Sequence, residues 1–370
     1  MNFDFSADQE QLRDQAKRVF AEGLGRARAL LESPQSHDQA LWSQVQELGW
    51  PAAAIAEADG GLGLSALELC VLAEEAGRTL APIPFSSSVL HASTALQQLT
   101  DCQVASALLG ELAAGEKTAT VAFTERGQAA WTERPQARVI AGQLSGHKAM
   151  VADAPVADVF IVSACADEDG QDWGWWLVEA QAAGVSLVPV EAIDRIRRHA
   201  DLHLDAVSCV RLGAAGQGSA LSERALDAAA VLSAFEQLGS AEAALESTLE
   251  YVKTRQAFNR VVGGYQAVKH TLADLYVKNQ LARSHCYYGA WALTQAPEHL
   301  PRAAAGARLA ATEAFCQAAE AAVELHGGIG FTWESDIQLF YRRARLMATQ
   351  LGGRAFWARR LKAALQRKAA

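Results

Sequence analysis

From about Gly218 onward, the apolar patterns in the chain repeat with the period of a helix. Leu238, Leu245, Leu249 and Val252 fall at helical spacing, as do Val268, Leu272 and Leu275. A third helix is expected over about 302–325, and a fourth over 342–351. Long helices in sequence bury their apolar stripes by packing antiparallel on one another, which makes a four-helix bundle the expected end of the chain.

The rest of the chain has a different rhythm. Ser6 followed by Gln9 forms a capping box, and Leu12, Ala16 and Phe20 then share one helical face. Helical patterns continue over 41–48 and 66–78, with a turn at Asp59-Gly60-Gly61-Leu62-Gly63 between them. Pro82 and Pro84 break the next segment, and a further helix runs to about Ala113. Near Lys117 the period changes. Short strand-like runs follow at 118–123, 139–140, 159–162, 175–178 and 185–188, with Leu202 and Leu204 alternating with polar neighbours. The expected fold class is α+β and multidomain: an N-terminal helical domain over 1–115, a middle β-barrel domain over 116–215 and a C-terminal four-helix bundle over 216–370.

Composition narrows the partners. A net charge of −9 argues against nucleic acid, which needs basic surface. The late basic cluster Arg342, Arg343, Arg345, Arg359 and Arg360 reads as a solvated helix face. Cys70, Cys102, Cys165, Cys209, Cys286 and Cys316 lack paired spacing. They read as reduced core residues of a cytoplasmic protein rather than zinc ligands or a disulfide frame, and no metal is expected. The first residues show no signal-peptide pattern, and no apolar run reaches the ~20 residues of a membrane span.

Two segments carry chemistry. Tyr251, Arg255, Phe258, Gln266 and His270 stand around Gly263 and Gly264, at the end of one expected helix and the start of the next. A guanidinium in such a place forms bidentate, charge-assisted bonds to phosphate. Asn259, in the turn, tolerates a left-handed backbone better than most residues. Further on, His326-Gly327-Gly328-Ile329-Gly330-Phe331-Thr332-Trp333-Glu334 closes another helix with a glycine cluster, where backbone N–H groups can approach phosphate closely. The glycines follow a helix rather than a strand, so they are not a Rossmann fingerprint.

Together these segments resemble the C-terminal domain of acyl-CoA dehydrogenases. The order helices, β-module, helical bundle extends the resemblance over essentially the whole chain. The family pattern Tyr-x-x-x-Arg-x-x-Phe-Gly, then Gln-x-x-x-His, is matched by Tyr251, Arg255, Phe258, Gln266 and His270, with Asn259 in place of the glycine. The resemblance implies FAD as cofactor, with Arg255 on its pyrophosphate and Phe258, Gln266 and His270 at the same site. Gly327 and Gly328 would reach a neighbouring subunit's FAD. Glu324 stands where relatives carry glutamine, and a carboxylate near a pyrophosphate is unfavourable unless turned away or neutralised. In the β-module, Thr124-Glu125 resembles the strand end beside the flavin ring, without the Pro and the Gly-Ser-Asp that follow in the family. Met150 takes the place of a tryptophan there, and Ala152 that of a flavin-contacting threonine.

The reaction so implied is α,β-desaturation of an acyl-CoA thioester, in which a carboxylate takes the α-proton and a hydride leaves the β-carbon for flavin N5. Relatives carry that glutamate at one of two places. Here the first holds Leu351, in Gln350-Leu351-Gly352-Gly353, and the second holds Ala229; neither accepts a proton. Glu236, two helical turns beyond Ala229 in apolar surroundings, is the candidate for a relocated base, with a structural or solvated acid as the alternative; Asp227 is a lesser candidate. Two readings stay open. The chain is an FAD-dependent acyl-CoA dehydrogenase, or it is a non-catalytic, FAD-sharing subunit whose sister chain supplies the base. The family further implies an acyl-CoA substrate in fatty acid metabolism, an electron-transfer flavoprotein as acceptor, and a homotetramer or a heterotetramer with a sister chain.

Overall fold

The computed structural model describes residues 6–167 and 169–367. In chain order it contains α1 (Ala7–Phe20), α2 (Gly23–Leu31), α3 (Gln39–Glu47) and α4 (Ala66–Arg78), then a π-helix at Phe85–Ser93 running into α5 (Thr94–Leu96), and α6 (Gln103–Ala113). Eight strands follow: β1 (Ala119–Ala122), β2 (Arg138–Ile140), β3 (Gln143–Ala152), β4 (Val159–Cys165), β5 (Trp173–Glu179), β6 (Val185–Val190), β7 (His199–Ser208) and β8 (Val210–Leu212). The last part holds α7 (Gly218–Thr254), a short hairpin of β9 (Gln256–Ala257) and β10 (Arg260–Val261), then α8 (Gln266–Gln295), α9 (Leu300–His326), α10 (Ile337–Met347) and α11 (Arg354–Arg367). Helical parts at both ends flank a sheet, as expected, and α11 adds a helix that the periodicity did not announce. The first five residues, read above for a signal peptide, lie outside the described residues. Among the described residues, no helix is long and apolar enough to cross a membrane.

Two compact units emerge, and neither is continuous in sequence. A helical unit gathers Met1–Ala29, Ala66–Ala81 and Ala230–Ala370; a sheet unit gathers Leu30–Ser65 and Pro82–Ala229.

In the helical unit, α1 starts where the sequence places it. Ser6 Oγ accepts from Gln9 N at 3.2 Å, and Gln9 Oε1 accepts from Ser6 N at 3.0 Å. Helix α1 packs on α4, with Ala16 and Phe20 fully buried. Helix α4 then meets α7 backbone to backbone. A Cβ at Gly77 would lie 2.1 Å from Glu236 O, and one at Gly239 would lie 1.9 Å from Glu74 O, so only glycine fits at either crossing point. Helix α9 buries Ala303, Ala307, Ala311, Ala314 and Ala318. These small side chains let α8, α10 and α11 all pack against it.

In the sheet unit the strand order is β6-β7-β3-β2-β4-β5-β8, with β1 parallel to β4. Strand β4 is buried along its whole length, and Phe160 and Val162 join Trp176, Val178, Leu202 and Leu204 in one apolar cluster. Strand β3 escaped the sequence reading for a local reason. Its register against β7 shifts between Lys148 and Val151, and Met150 sits at φ 53°. That β-bulge breaks the alternation that marks a strand. All six cysteines are free, but only Cys70, Cys165 and Cys286 are core residues; Cys102, Cys209 and Cys316 are half-buried.

Candidate functional site

The helical unit presents one face built from the ends of α7 and α9. Past α7, the pairing of Ala257 with Arg260 leaves Phe258 and Asn259 as a two-residue loop, at φ 52° and 59°. Two left-handed residues in succession are what a type I′ hairpin demands. Asn259 suits that turn, as its place in the motif implied. Phe258 holds it at a cost of ~1–2 kcal/mol, with its ring 94% exposed. The expected glycine turn lies just beyond, where Val262–Gly264 forms a single 3₁₀ turn before α8. Gln266 and His270 then stand one turn apart on the exposed face of α8, their side-chain nitrogens 3.5 Å apart.

Arg255 is exposed, and among the described residues no carboxylate or other acceptor engages its guanidinium. Tyr251 ties the two helix ends together: its hydroxyl donates to His326 O at 3.3 Å, and its ring stacks on His326 at 4.1 Å. Burial holds the His326 imidazole below its ordinary pKa. Gly327 takes φ 66°, and a Cβ on either Gly327 or Gly328 would meet nothing within 4 Å. Gly330 differs, because a Cβ there would lie 2.7 Å from Val323 O. Internal packing therefore explains Gly330, while Gly327 and Gly328 keep bare backbone facing open space. Glu324 is exposed at the same helix end. The loop beyond is braced by Arg28 of α2, which donates to Asp336 Oδ1 at 2.8 Å, to Glu334 O at 3.1 Å and to Trp333 O. Sequence reasoning missed Arg28 because α2, with Gly23 and Gly25 near its start, carries no clear helix signal.

In the sheet unit Thr124 follows β1, half-buried, and its carbonyl accepts from Ala149 N at 2.9 Å. Glu125 beside it is saturated: it accepts from Lys148 Nζ at 2.6 Å, Gln136 N at 2.7 Å and Ala137 N at 3.0 Å. Burial pushes the Lys148 ammonium down to about 8, against the pull of Glu125. Asp201 fixes the bulge, accepting from Met150 N at 3.0 Å and from Arg126 at 2.8 Å. Burial alone would raise Asp201, but these two bonds outweigh it and hold the carboxyl below its usual range. Asp201 was invisible in the sequence because its partners come from segments far apart along the chain.

Leu351 and Ala229, the positions that the family resemblance assigned to a glutamate, are packed. Leu351 is 5% exposed at φ 61°, and its carbonyl accepts from Trp357 Nε1 at 3.1 Å. Arg308 donates to Gln350 O at 2.5 Å and also to Met347 O. Ala229 is 1% exposed. Glu236 is 3% exposed, and its Oε1 accepts from Arg343 Nη1 at 3.3 Å. Arg343 is itself 1% exposed. This corrects the expectation of a solvated basic face: one member of that cluster is a buried ion-pair partner. Asp227 is buried in the sheet unit.

Residues 6–116 match the acyl-CoA dehydrogenase N-terminal domain, and residues 216–363 match the acyl-CoA dehydrogenase C-terminal domain. The chain is 33% identical over 342 residues to the acyl-CoA dehydrogenase IpdE2 of Mycobacterium tuberculosis, with 91% of each chain covered. The chain belongs to the acyl-CoA dehydrogenase family. Among solved structures, this acyl-CoA dehydrogenase is similar to a variant of the Tcur3481–Tcur3483 steroid ACAD, at 32% identity and TM-score 0.86 over 98% of each chain. It is also similar to the ChsE4–ChsE5 complex from Mycobacterium tuberculosis, at 26% identity and TM-score 0.88 over 99% of each chain. A free guanidinium and bare glycine N–H groups suit a dinucleotide's pyrophosphate. On the sheet, Met150 and Ala152 carry neither an indole nor a hydroxyl.

Proposed function

We propose that this chain is one subunit of a two-chain acyl-CoA dehydrogenase, holding FAD through its helical face while a sister chain supplies the catalytic carboxylate. The observation that carries the reading is Leu351. It fills the position of the base with a buried side chain in a loop clamped by Trp357 and Arg308. Glu236, the alternative base, already neutralises Arg343.

In this reading Arg255 binds the pyrophosphate by charge-assisted bonds, and Gly327 and Gly328 bring their N–H groups to phosphate oxygens that a side chain would fend off. Phe258 covers an apolar part of the cofactor, which repays its strained backbone. Gln266 and His270 add polar contacts from α8. When bound, FAD supplies the two-electron acceptor for α,β-desaturation of an acyl-CoA. Leu351 excludes water without taking a proton. Similarity to a steroid ACAD named for two gene products points to a steroid-type acyl-CoA as substrate, and an electron-transfer flavoprotein is the acceptor that the family implies.

The test is flavin content and anaerobic bleaching, read from the visible spectrum of the chain purified alone and together with a sister chain. The expected result is no bleaching by a steroid-type acyl-CoA until the sister chain is present. One FAD per chain, bleached by that substrate without a partner, would overturn the reading and return the base to this chain.

A further inference from the structure

Gly327 and Gly328 sit on a loop that does little to hold its own shape. After α9 the chain makes one 3₁₀ turn, Gly327–Phe331. Thr332 closes it by donating to Ile329 O, through its N–H at 3.0 Å and through its hydroxyl at 2.9 Å. Beyond that point, among the described residues, no backbone N–H donates to Trp333 O or Glu334 O. Both carbonyls are taken by one side chain from the far end of the sequence. Arg28 donates to Trp333 O, to Glu334 O at 3.1 Å, and to Asp336 Oδ1 at 2.8 Å and 2.6 Å.

A guanidinium suits this place. Its donors form a rigid planar fork that reaches separate acceptors at once and stays charged. The ion pair alone would count for little, because Arg28 and Asp336 are both half-buried at the surface. The two carbonyl bonds give it geometric meaning: they fix the course of the backbone at 333–334, and so the end of the turn before it. Arg342 lies over the Trp333 ring at 4.7 Å, a contact that gives the backbone no bond. On the other side of the turn, Tyr251 donates to His326 O. The two glycines are therefore held between a tyrosine of α7 and an arginine of α2.

We propose that Arg28 is a positioning residue of the cofactor face: it touches no phosphate itself, and it sets the loop so that Gly327 and Gly328 present their N–H groups to a pyrophosphate. This rests on the helical face being the FAD site. Helix α2 supplies none of the groups assigned to FAD, yet through Arg28 it sets how well the face holds the cofactor. A loop already in place binds without further ordering, whereas one that must be ordered on binding loses affinity to that entropy.

Amide hydrogen exchange of the flavin-free chain tests the clamp, and FAD titration of the chain with its sister chain tests its purpose. In Arg28→Ala, amides over 327–334 should exchange faster than in the parent, while α9 and α10 keep their protection, which shows that the fold survives. FAD affinity should fall by about tenfold, the equivalent of one lost hydrogen bond to a charged group. Arg28→Lys keeps the charge beside Asp336 but cannot span three acceptors, so it should fall between parent and Arg28→Ala. The deciding readout is the cycle with Gly328→Ala. If Arg28 acts through this loop, the two losses overlap, and the double variant binds FAD better than the product of the single factors demands. Unchanged exchange over 327–334, or losses that simply multiply, would overturn the role given to Arg28. A parent that takes up no FAD overturns the cofactor reading and this role with it. The exchange result needs no flavin, so it tells that failure from a loop that Arg28 does not hold.

Discussion

The face around Arg255 and the turn around Leu351 lie in the same helical unit, and they are built on opposite terms. At the first, the chain keeps a guanidinium without a partner, a left-handed phenylalanine in solvent and two glycines with nothing near them. Each of these features weakens an isolated fold. At the second, side chain and carbonyls are consumed internally: Leu351 is buried, Trp357 caps its carbonyl, and Arg308 holds the residue before it. A face whose groups are unsatisfied by the chain itself is open to something that arrives, whereas a turn that spends its side chain and carbonyls on the chain itself has become structure. In the function proposed above, the comparison separates a binding face from a turn without a base, within one unit.

The largest test is on the packed side. Glu236→Gln removes the carboxylate facing buried Arg343 and should cost about 3–5 kcal/mol in urea unfolding. If stability held while substrate bleaching disappeared in the two-chain enzyme, Glu236 would belong to the chemistry and the contrast would break. Next comes Glu75, on α4 at 3% exposure. Burial first, then the charge of Glu74, raises it from 4.5 to about 7, against Arg78 and Arg13. The folded chain thus holds a proton that the unfolded chain has released between these pH values. Stability is lost as pH rises through that window, by at most ~3 kcal/mol. Glu75→Gln should match the parent near pH 4 and exceed it at pH 8; parallel stability curves would count against the packing account. Phe258→Gly should gain about 1 kcal/mol in thermal unfolding by relieving the left-handed Cβ, yet loosen FAD, so the two readouts move in opposite directions. Smallest is Gly328→Ala, expected within ~0.5 kcal/mol of the parent in stability but poorer in flavin retention. Gly330→Ala, with Val323 O in its way, should destabilise visibly and serves as the control for a glycine kept by packing.

Much of this architecture was legible because local signals agreed with the fold. The Ser6–Gln9 box set the start of α1, and clean periodicity gave α4 its observed span, Ala66–Arg78. Asn259 was readable as left-handed because few residues tolerate that backbone. Three things were hidden. Basic residues on α10 and α11 looked solvated, yet Arg343 found Glu236 from a helix more than a hundred positions earlier. Met150 and Asp201 define a bulge only once β3 and β7 are paired. The π-helix Phe85–Ser93 buries three serines in a row, a pattern that neither strand nor α-helix periodicity describes. The hydrogen-bonding demands of distant segments were the missing information in each case.

The crossing of α4 and α7, where Gly77 and Gly239 admit no methyl group, also sets an order of events. The helical unit needs Ala66–Ala81 and then nothing more until Ala230. At synthesis rates of ~5–20 residues per second, α1 and α4 emerge roughly ten seconds before the helix that completes them. The larger part of the sheet unit, Pro82–Ala229, is made in the meantime. Until then, α4 carries Glu74 without Arg283 and Arg78 without Glu242, and its glycine notch lies open. The newborn chain must shelter that half-built surface for its own lifetime on the ribosome.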